Sequence, residues 1–302
     1  MIDTFRGYVS MQECDEMGHM NIQHYIGKTS DAAFNFRAAI GLGAGPQIAS
    51  GRSAVPLEHH VRFHRELKTS DLVLVRSGVI EMRETSLLLF HEMRELLDDR
   101  LAATFVVEVG CIELGSHRPA PWPAEARARA EALVIALPEA ARPRGLQHDV
   151  IDRAPSLGRA DELGMIETNR SAVNAWECDT NGHMNPRFVM SRFSDAQGHM
   201  WAHAGLGRHE QAAAGLATAT VEMRLVHLRA LAAGKTLCVR TGLVETSAKT
   251  LRYRHWFFDA ETGDPAYAAE GLGLLFDKES RKAVPIPARV AERFARRQNL
   301  TS

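Results

Sequence analysis

The stretch Glu-Cys-Asp-Glu-Met-Gly-His-Met-Asn at residues 13–21 decides how this chain is organised, because it occurs twice. It returns as Glu-Cys-Asp-Thr-Asn-Gly-His-Met-Asn at residues 177–185, and 177 − 13 gives an offset of 164 positions. An internal repeat of this kind implies one structural unit used twice along the chain.

The same register extends far beyond the motif, and chance agreement does not keep one register over so many positions. Residues that match at this offset include Ser30, Asp31, Gly41, Glu58, Arg65 and His91 with Ser194, Asp195, Gly205, Glu222, Arg229 and His255. A chain of 302 residues has room for two cores. We therefore predict a first domain at 1–135, a proline-containing connector at 136–168 and a second domain at 169–302.

Each copy has the same predicted order of elements. Apolar residues at helical spacing predict helices over 22–40 and 186–204, each stopped by a glycine, Gly41 or Gly205. Asn185 followed by Pro186 has the pattern of an N-cap with proline at the first helical position, and the repeat gives Asn21 the same place. Strand patterns follow, over 72–80, 87–97 and 101–112 and over 236–245, 251–258 and 266–276, and a charged helical tail ends each copy. One apolar helix needs a sheet to bury it, so the prediction is an α+β unit with a curved antiparallel sheet around the helix.

The pattern Asp-X-X-Gly-His-Met-Asn, between a short strand and a helix, resembles the signature of the 4-hydroxybenzoyl-CoA thioesterase group of hotdog proteins. The tandem layout resembles double-hotdog acyl-CoA thioesterases and plant acyl-carrier-protein thioesterases, over nearly the whole chain except the connector. The resemblance implies two tandem hotdog domains that form an intramolecular pseudo-dimer around one joined antiparallel sheet. It implies hydrolysis of an acyl-CoA, with an acyl-carrier-protein thioester as the less favoured substrate. It also implies that Asp15 and Asp179 act as general base or nucleophile.

Elementary chemistry agrees with that assignment. Thioester hydrolysis needs a base or nucleophile and a group that stabilises the developing oxyanion. Free backbone N–H groups at a helix start attract negative charge, and Asp15 precedes the cap Asn21 by six residues. Histidine can orient a neighbour through a hydrogen bond. The candidate catalytic residues are Asp15, His19 and Asn21 in the first copy and Asp179, His183 and Asn185 in the second.

Simpler roles remain open for each of these residues. The asparagines could be helix caps only, the histidines could merely fasten the loop, and either aspartate could be a turn residue. Cys14 and Cys178 adjoin the acids, but nothing near them in sequence marks an activated thiolate, so we expect them to pack as small apolar side chains. The copies also differ, since Val189 replaces Tyr25. Which acid works is therefore open, and we favour Asp15.

Several other functions are not indicated. A formal net charge of −1 does not suggest nucleic-acid binding. No apolar run is long enough for a transmembrane helix, and the N-terminus does not look like a signal peptide, so we expect a cytoplasmic protein that does not bind membranes. No glycine-rich phosphate loop or His-Glu-X-X-His motif occurs, and the sequence predicts no cofactor. His59, His60 and His64 faintly resemble a metal site, but the second copy has no equivalent cluster, so we predict no metal.

Two other functions are alternatives to hydrolysis. A hotdog hydratase would place its histidine five residues after the aspartate, whereas here Asp179 and His183 are four apart. A non-catalytic acyl-binding module would share the fold, since fold alone does not fix function. The sequence does not name the acyl group, and it does not decide between a monomer and a homo-oligomer of pseudo-dimers.

Overall fold

The computed structural model describes residues 1–148 and 151–298, and these form two compact units, Met1–Arg142 and Pro143–Ser302. The unit boundary falls inside the predicted connector, so residues 136–142 belong to the first unit and residues from Pro143 onward to the second. Connector residues 149 and 150 lie outside the described residues.

The first unit is one long helix with a five-stranded antiparallel sheet. Its elements are β1 (Ile2–Tyr8), a 3-10 helix (Met11–Glu13), α1 (Ile22–Ala39), α2 (Ala44–Ser50), β2 (Arg52–Phe63), β3 (Leu72–Met82), β4 (Ser86–Glu95), β5 (Leu101–Glu113), α3 (Ala124–Glu131) and a 3-10 helix (Glu139–Ala141). Within this unit the strands lie in the order β1-β3-β4-β5-β2.

The second unit repeats this plan. Its elements are α4 (Leu157–Glu162), β6 (Ile166–Ala172), a 3-10 helix (Ala175–Glu177), α5 (Pro186–His203), α6 (Arg208–Ala213), β7 (Leu216–His227), β8 (Thr236–Thr246), β9 (Thr250–Asp259), β10 (Pro265–Asp277), β11 (Ala283–Val284) and α7 (Ala288–Gln298). Its strand order is β7-β10-β9-β8-β6, with β11 paired to β10. The predicted α+β class and tandem organisation are confirmed, and none of the described helices is long and apolar enough to cross a membrane.

One strand in each unit is longer than its sequence pattern suggested. The sequence pattern places Glu58 and Glu222 at the start of a strand, whereas the structure places them near the middle of β2 and β7. A register shift precedes each of them, between Pro56 and Glu58 and between Thr220 and Glu222. Such a bulge breaks the strict alternation of inward and outward side chains, which is why alternation alone hid the first half of each strand.

The central helix of each unit packs its apolar stripe against one face of the sheet. In α1 the fully buried side chains include Tyr25, Ile26 and Phe36, and Tyr25 meets Phe63 of β2 edge-on at 5.3 Å between ring centroids. In α5 the ring of Phe193 meets His255 of β9 at 4.6 Å in the same geometry. Burying one such side chain contributes about 1.5–3 kcal/mol, so this face forms the main core of each unit.

The tail helices dock on the far end of the central helices. Gly41 and Gly205 end α1 and α5 with φ values of +86° and +72°, a left-handed conformation that glycine adopts without strain. Arg129 of α3 packs over Gly41, and Arg293 of α7 over Gly205. A cation at a helix C-terminus complements the helix dipole, so this repeated contact stabilises both helix ends.

A chain of buried hydroxyls and one histidine ties three neighbouring strands together in each unit. In the first unit the Thr4 hydroxyl donates to the Val75 carbonyl, and Oγ of Ser77 lies 2.6 Å from both Thr4 Oγ1 and His91 Nδ1. Because the Thr4 hydroxyl donates its hydrogen to the carbonyl, it can only accept from the Ser77 hydroxyl. The Ser77 oxygen then accepts a hydrogen bond from Nδ1 of His91. The second unit has Thr168, Thr241 and His255 with the same 2.6 Å spacings. Burial lowers the pKa of His91 and of His255 to about 3, so both imidazoles are neutral in the folded protein.

The connector covers the outer face of the second sheet, which is the face opposite α5. Ile151, Ala160 and Met165 pack there against Trp256 and Phe258 in one buried apolar cluster. This segment is therefore part of the second core.

Polar contacts fix the start of the connector to β7. The carboxylate of Glu222 accepts hydrogen bonds from the backbone amides of Arg144 and Gly145 at 3.0 and 2.7 Å, and Arg224 donates to the Leu146 carbonyl at 2.6 Å. Glu222 is almost fully buried, so these bonds hold the connector while they satisfy a buried charge.

The buried histidines should make the protein sensitive to acid. Burial lowers the pKa of His59 to about 4 and of His91 and His255 to about 3, whereas an unfolded histidine titrates near 6.5. Above about pH 6.5 these histidines are unprotonated in both the folded and the unfolded state. Below that pH they become protonated in the unfolded chain but stay neutral in the folded chain. Stability should therefore fall as pH drops from about 6.5, by about 1.4 kcal/mol per pH unit for each histidine. Denaturant titrations between about pH 5 and 7 measure this slope.

The variant His255→Leu isolates one of these groups. It should unfold with a shallower pH dependence, by about one proton, whatever its stability at neutral pH. A variant with the parent's slope would show that His255 is not a source of the acid sensitivity.

Candidate active site

The motif forms a tight turn between the short 3-10 helix and the central helix. In the first unit the amide of Asp15 donates to the His19 carbonyl at 2.8 Å, and the amide of Gly18 donates to the Asp15 carbonyl at 3.0 Å. Gly18 has φ +74°, and Gly182 at the equivalent place has φ +77°. Only glycine takes this left-handed conformation without cost, so the glycine is needed for the turn itself.

Each motif aspartate is held by one carboxylate oxygen. Oδ1 of Asp15 accepts hydrogen bonds from the amides of Met17 and His19 at 2.8 and 3.2 Å. Oδ1 of Asp179 accepts from the amides of Asn181 and His183 at the same distances. Within the described residues no hydrogen bond uses the second oxygen, Oδ2, of either carboxylate. Both aspartates are half-buried, so each presents one fixed and one available oxygen.

The motif asparagines cap the central helices, as predicted. Oδ1 of Asn21 accepts from the Gln23 amide at 3.1 Å, and Oδ1 of Asn185 from the Arg187 amide at 2.9 Å. The backbone amide of Asn21 also donates to the backbone carbonyl of Glu13 at 2.8 Å. The cap therefore fixes the place where the positive end of the helix dipole meets the turn.

The two motif histidines have different surroundings. Nε2 of His19 lies 3.2 Å from a carboxylate oxygen of Glu66. The position equivalent to Glu66 in the second unit is Ala230. The backbone of His19 bridges to Lys68 in the loop before β3, and that of His183 to Ala232 in the loop before β8.

A buried ion pair fastens each motif to its helix, and sequence analysis did not detect it. In the first unit Lys28 of α1 lies 2.7 Å from Oε1 of Glu13 and donates to the Tyr8 carbonyl. The equivalent pair in the second unit is Arg192 and Glu177, with Nη2 2.9 Å from Oε2. Both pairs stand at the same offset of 164 positions, which is the sequence signal that reveals them in retrospect.

The same glutamates also cap the 3-10 helices. Glu13 accepts from the Ser10 amide at 2.8 Å and Glu177 from the Asn174 amide at 2.9 Å. Burial alone would raise the pKa of each carboxyl, but the cation and the amide outweigh it, so both pKa values lie below the ordinary range. One charged group thus joins the 3-10 helix, the turn and the central helix.

The difference between Tyr25 and Val189 has a structural explanation. The hydroxyl of Tyr25, on α1, accepts a hydrogen bond from the Leu67 amide at 3.0 Å. In the second unit the Leu231 amide hydrogen-bonds Tyr267, which comes from β10. A tyrosine from another element thus supports the equivalent backbone group in the second unit.

The cysteines have the surroundings of packed thiols. Sγ of Cys14 lies 3.2 Å from the Thr69 hydroxyl, and Cys178 donates to the Asn174 carbonyl. Burial raises the pKa of Cys178, which disfavours its thiolate. All four cysteines are free, so no disulfide contributes to the site.

The histidine-rich stretch of β2 does not gather as a metal site. Nε2 of His64 hydrogen-bonds the Thr104 hydroxyl at 3.1 Å, and the His59 side chain is buried. Among the described residues no group of three or more His, Cys, Asp or Glu side chains is placed to hold a metal ion.

A family model described as the thioesterase-like superfamily matches residues 9–130 and again residues 173–294. The chain belongs to this superfamily. Both matches include the motif and the helix and sheet that position it, and together they span most of the chain.

Comparison with individual proteins agrees with this family. A betainyl-CoA thioesterase from Pseudomonas aeruginosa is 28% identical over 115 residues, which are 38% of this chain and 72% of the relative. Two solved structures share the fold. A protein from Lactobacillus plantarum described as an oleoyl thioesterase has a TM-score of 0.70 at 13% identity, covering 93% of this chain and 96% of its own. An acyl-ACP thioesterase from Bacteroides thetaiotaomicron has a TM-score of 0.66 at 11% identity, covering 89% and 96%. The fold is that of tandem hotdog thioesterases, and the chain is a thioester hydrolase.

The buried ion pair gives a direct test of how the motif is held. Arg192→Met leaves the Glu177 carboxylate buried without its cation, which should destabilise the protein by about 3–5 kcal/mol. Arg192→Lys is the matched control, because the first unit uses a lysine at this position. It should retain most of the stability. Thermal unfolding of the three proteins decides the matter, and equal losses in both variants would show that the charge is not what holds the turn.

Proposed function

We propose that this enzyme hydrolyses acyl-CoA thioesters to the free acid and CoA, with a motif aspartate as general base or nucleophile. The observation that carries the proposal is the pair of carboxylate oxygens at Asp15 and Asp179. One oxygen is fixed by two turn amides and the other makes no hydrogen bond to the described residues. A reactive carboxylate needs this combination of fixed position and free lone pairs.

The helix start supplies the second requirement. As the thioester carbonyl is attacked, negative charge develops on its oxygen, and backbone N–H groups at the positive end of a helix stabilise such charge. Asn21 and Asn185 fix that helix end beside the aspartate turn. His19 and His183 contribute their amides to the carboxylate and so help to orient it.

Two routes fit these groups. As general base, the aspartate removes a proton from water, the hydroxide adds to the carbonyl, and the tetrahedral intermediate expels CoA thiolate, which takes up the proton. As nucleophile, the carboxylate displaces CoA thiolate to form a mixed anhydride, which water then hydrolyses and so restores the aspartate. Both routes need the same free carboxylate oxygen.

One difference between the units favours Asp15 as the working acid. The first helical residue is Ile22 in α1 but Pro186 in α5, and proline has no N–H. The first helix start therefore offers one more backbone donor to an oxyanion.

CoA is the favoured carrier. The relative from Pseudomonas aeruginosa carries the name of a CoA thioesterase, whereas the acyl-ACP thioesterase of known structure is similar in fold alone. We therefore propose acyl-CoA as substrate and expect slower turnover of acyl-carrier-protein esters.

Substitution of the acids tests the mechanism. Asp15→Asn keeps the shape of the turn and removes the negative charge, so hydrolysis of a panel from acetyl-CoA to long-chain and aromatic CoA esters should fall by about a hundredfold to ten-thousandfold. The measurement is thiol release with a chromogenic reagent. Folding should change little, since the residue lies in a turn outside the core.

Asp179→Asn is the matched control from the second unit. Full activity in this variant, with loss in Asp15→Asn, assigns catalysis to the first unit. The reverse pattern moves the active acid to the second unit and leaves the mechanism intact. Parent-level activity in the double variant would show that neither aspartate is catalytic.

A further inference from the structure

A second polar cluster lies in the second unit, where α5 borders β7 and β9. Gln197 of α5 donates from Nε2 to the Thr220 hydroxyl at 2.8 Å and to the Tyr253 hydroxyl at 2.6 Å. The two hydroxyls are 2.8 Å apart, which closes a triangle of three hydrogen bonds. Gln197 and Thr220 are partly exposed, so the cluster reaches the surface of this unit.

The backbone around Tyr253 is built to admit its ring. Gly271 of β10 pairs with Tyr253, and a Cβ at this glycine would lie 2.4 Å from the tyrosine hydroxyl. A Cβ at Gly273 would lie 3.1 Å from the same ring. Neither glycine has a positive φ, so the close approach of the ring, rather than backbone conformation, explains both glycines.

The first unit has none of these residues. The positions equivalent to Gln197, Thr220 and Tyr253 are Ala33, Pro56 and Leu89. The positions equivalent to the two glycines are Val107 and Val109. The two units therefore differ at all five positions. The first unit has mostly apolar side chains there, whereas the second has a tyrosine ring over two glycines and two polar residues beside its hydroxyl. A strand interior loses stability when it gives up two valines for glycines. That cost is unexplained if the cluster serves packing alone.

The hydrogen-bond inventory of the cluster leaves one donor and one acceptor unused. Gln197 spends both amide hydrogens within the triangle, and one hydroxyl donates to the other. One hydroxyl hydrogen and the carbonyl oxygen Oε1 of Gln197 have no partner among the described residues. Burial raises the pKa of Tyr253 above its ordinary value, so its hydroxyl keeps its proton. The unused groups are neutral, and they match a ligand group that can donate and accept at once.

A buried neighbour adds a further polar atom on the same face of β9. His255 lies two residues after Tyr253, and the two ring centroids are 5.2 Å apart. Its Nδ1 is used by Thr241, while its Nε2 is buried without a hydrogen-bond partner. Phe193 contacts both rings, so the aromatic wall beside the cluster carries one unsatisfied polar atom.

We propose that Gln197, Thr220 and Tyr253 form a specificity site that recognises an uncharged hydrogen-bonding substituent, a hydroxyl or an amide, on the acyl group of the substrate. The proposal rests on the proposed thioesterase function. Gln197 lies twelve residues after the cap Asn185, which is roughly 18 Å along the helix. The cluster belongs to the unit of Asp179, so the proposal concerns a thioester held at this acid, in addition to the favoured site at Asp15. Such a thioester would reach the cluster only with the distal part of its acyl group.

Matched pairs of esters test this site. The probes are dodecanoyl-CoA and hexadecanoyl-CoA, each compared with its ω-hydroxy derivative, because only the distal end of a long acyl chain would reach the cluster. The parent enzyme should prefer at least one hydroxylated ester over its plain counterpart by roughly tenfold in kcat/KM. Tyr253→Phe keeps the ring on Gly271 and Gly273 and removes only the hydroxyl, so it should abolish that preference and leave turnover of the plain ester nearly unchanged. Thr220→Val should act in the same direction.

Thr4→Val is the control, because it removes a buried hydroxyl of the first unit, which does not contain the cluster. It should lower stability without changing the preference. The inference is overturned if the parent does not discriminate between the paired esters, or if Tyr253→Phe slows all esters equally. An enzyme that hydrolyses none of the esters would instead contradict the proposed thioesterase function, so the two failures are distinguishable.

Discussion

The ion pair between a motif glutamate and a cation of the central helix is the contact on which the rest of each site depends. Glu13 with Lys28, and Glu177 with Arg192, tie the 3-10 helix to the middle of the helix that follows the turn. Once these two elements are fixed, the intervening residues have little freedom, and the aspartate, the left-handed glycine and the capping asparagine must lie where they do. A charge buried without its partner is very unfavourable, so the pair holds this geometry strictly.

Much of the fold could be predicted from the sequence because the repeat checks each element against its copy. The central helices have apolar stripes of the right period and clear caps, so their bounds were correct within a residue or two. The first halves of the strands that begin at Arg52 and Leu216 could not be predicted, since a bulge interrupts their alternation. The short helices α2 and α6 were missed because neither buries a side chain and so neither has an apolar period.

The candidate site was predictable in its residues and not in its contacts. The motif identifies Asp15 and its neighbours as candidate residues. That one carboxylate oxygen is fixed by backbone amides depends on the folded shape of the turn, which the sequence pattern does not show. The prolines and polar residues of the connector predict a loop that only joins the two domains. Its contribution to the second core depends on isolated apolar residues, such as Ile151 and Met165, which have no period to detect.

The connector also changes what the duplication means for this molecule. Residues from Pro143 onward complete the apolar layer over Trp256 and Phe258. The two copies therefore keep one sequence register, but the second copy needs the connector to complete its core. A fragment cut at the repeat boundary would bare a hydrophobic surface on the second half and invite aggregation. Duplication thus produced two halves that are no longer interchangeable modules, and the order in which they stand in the chain has become part of the fold.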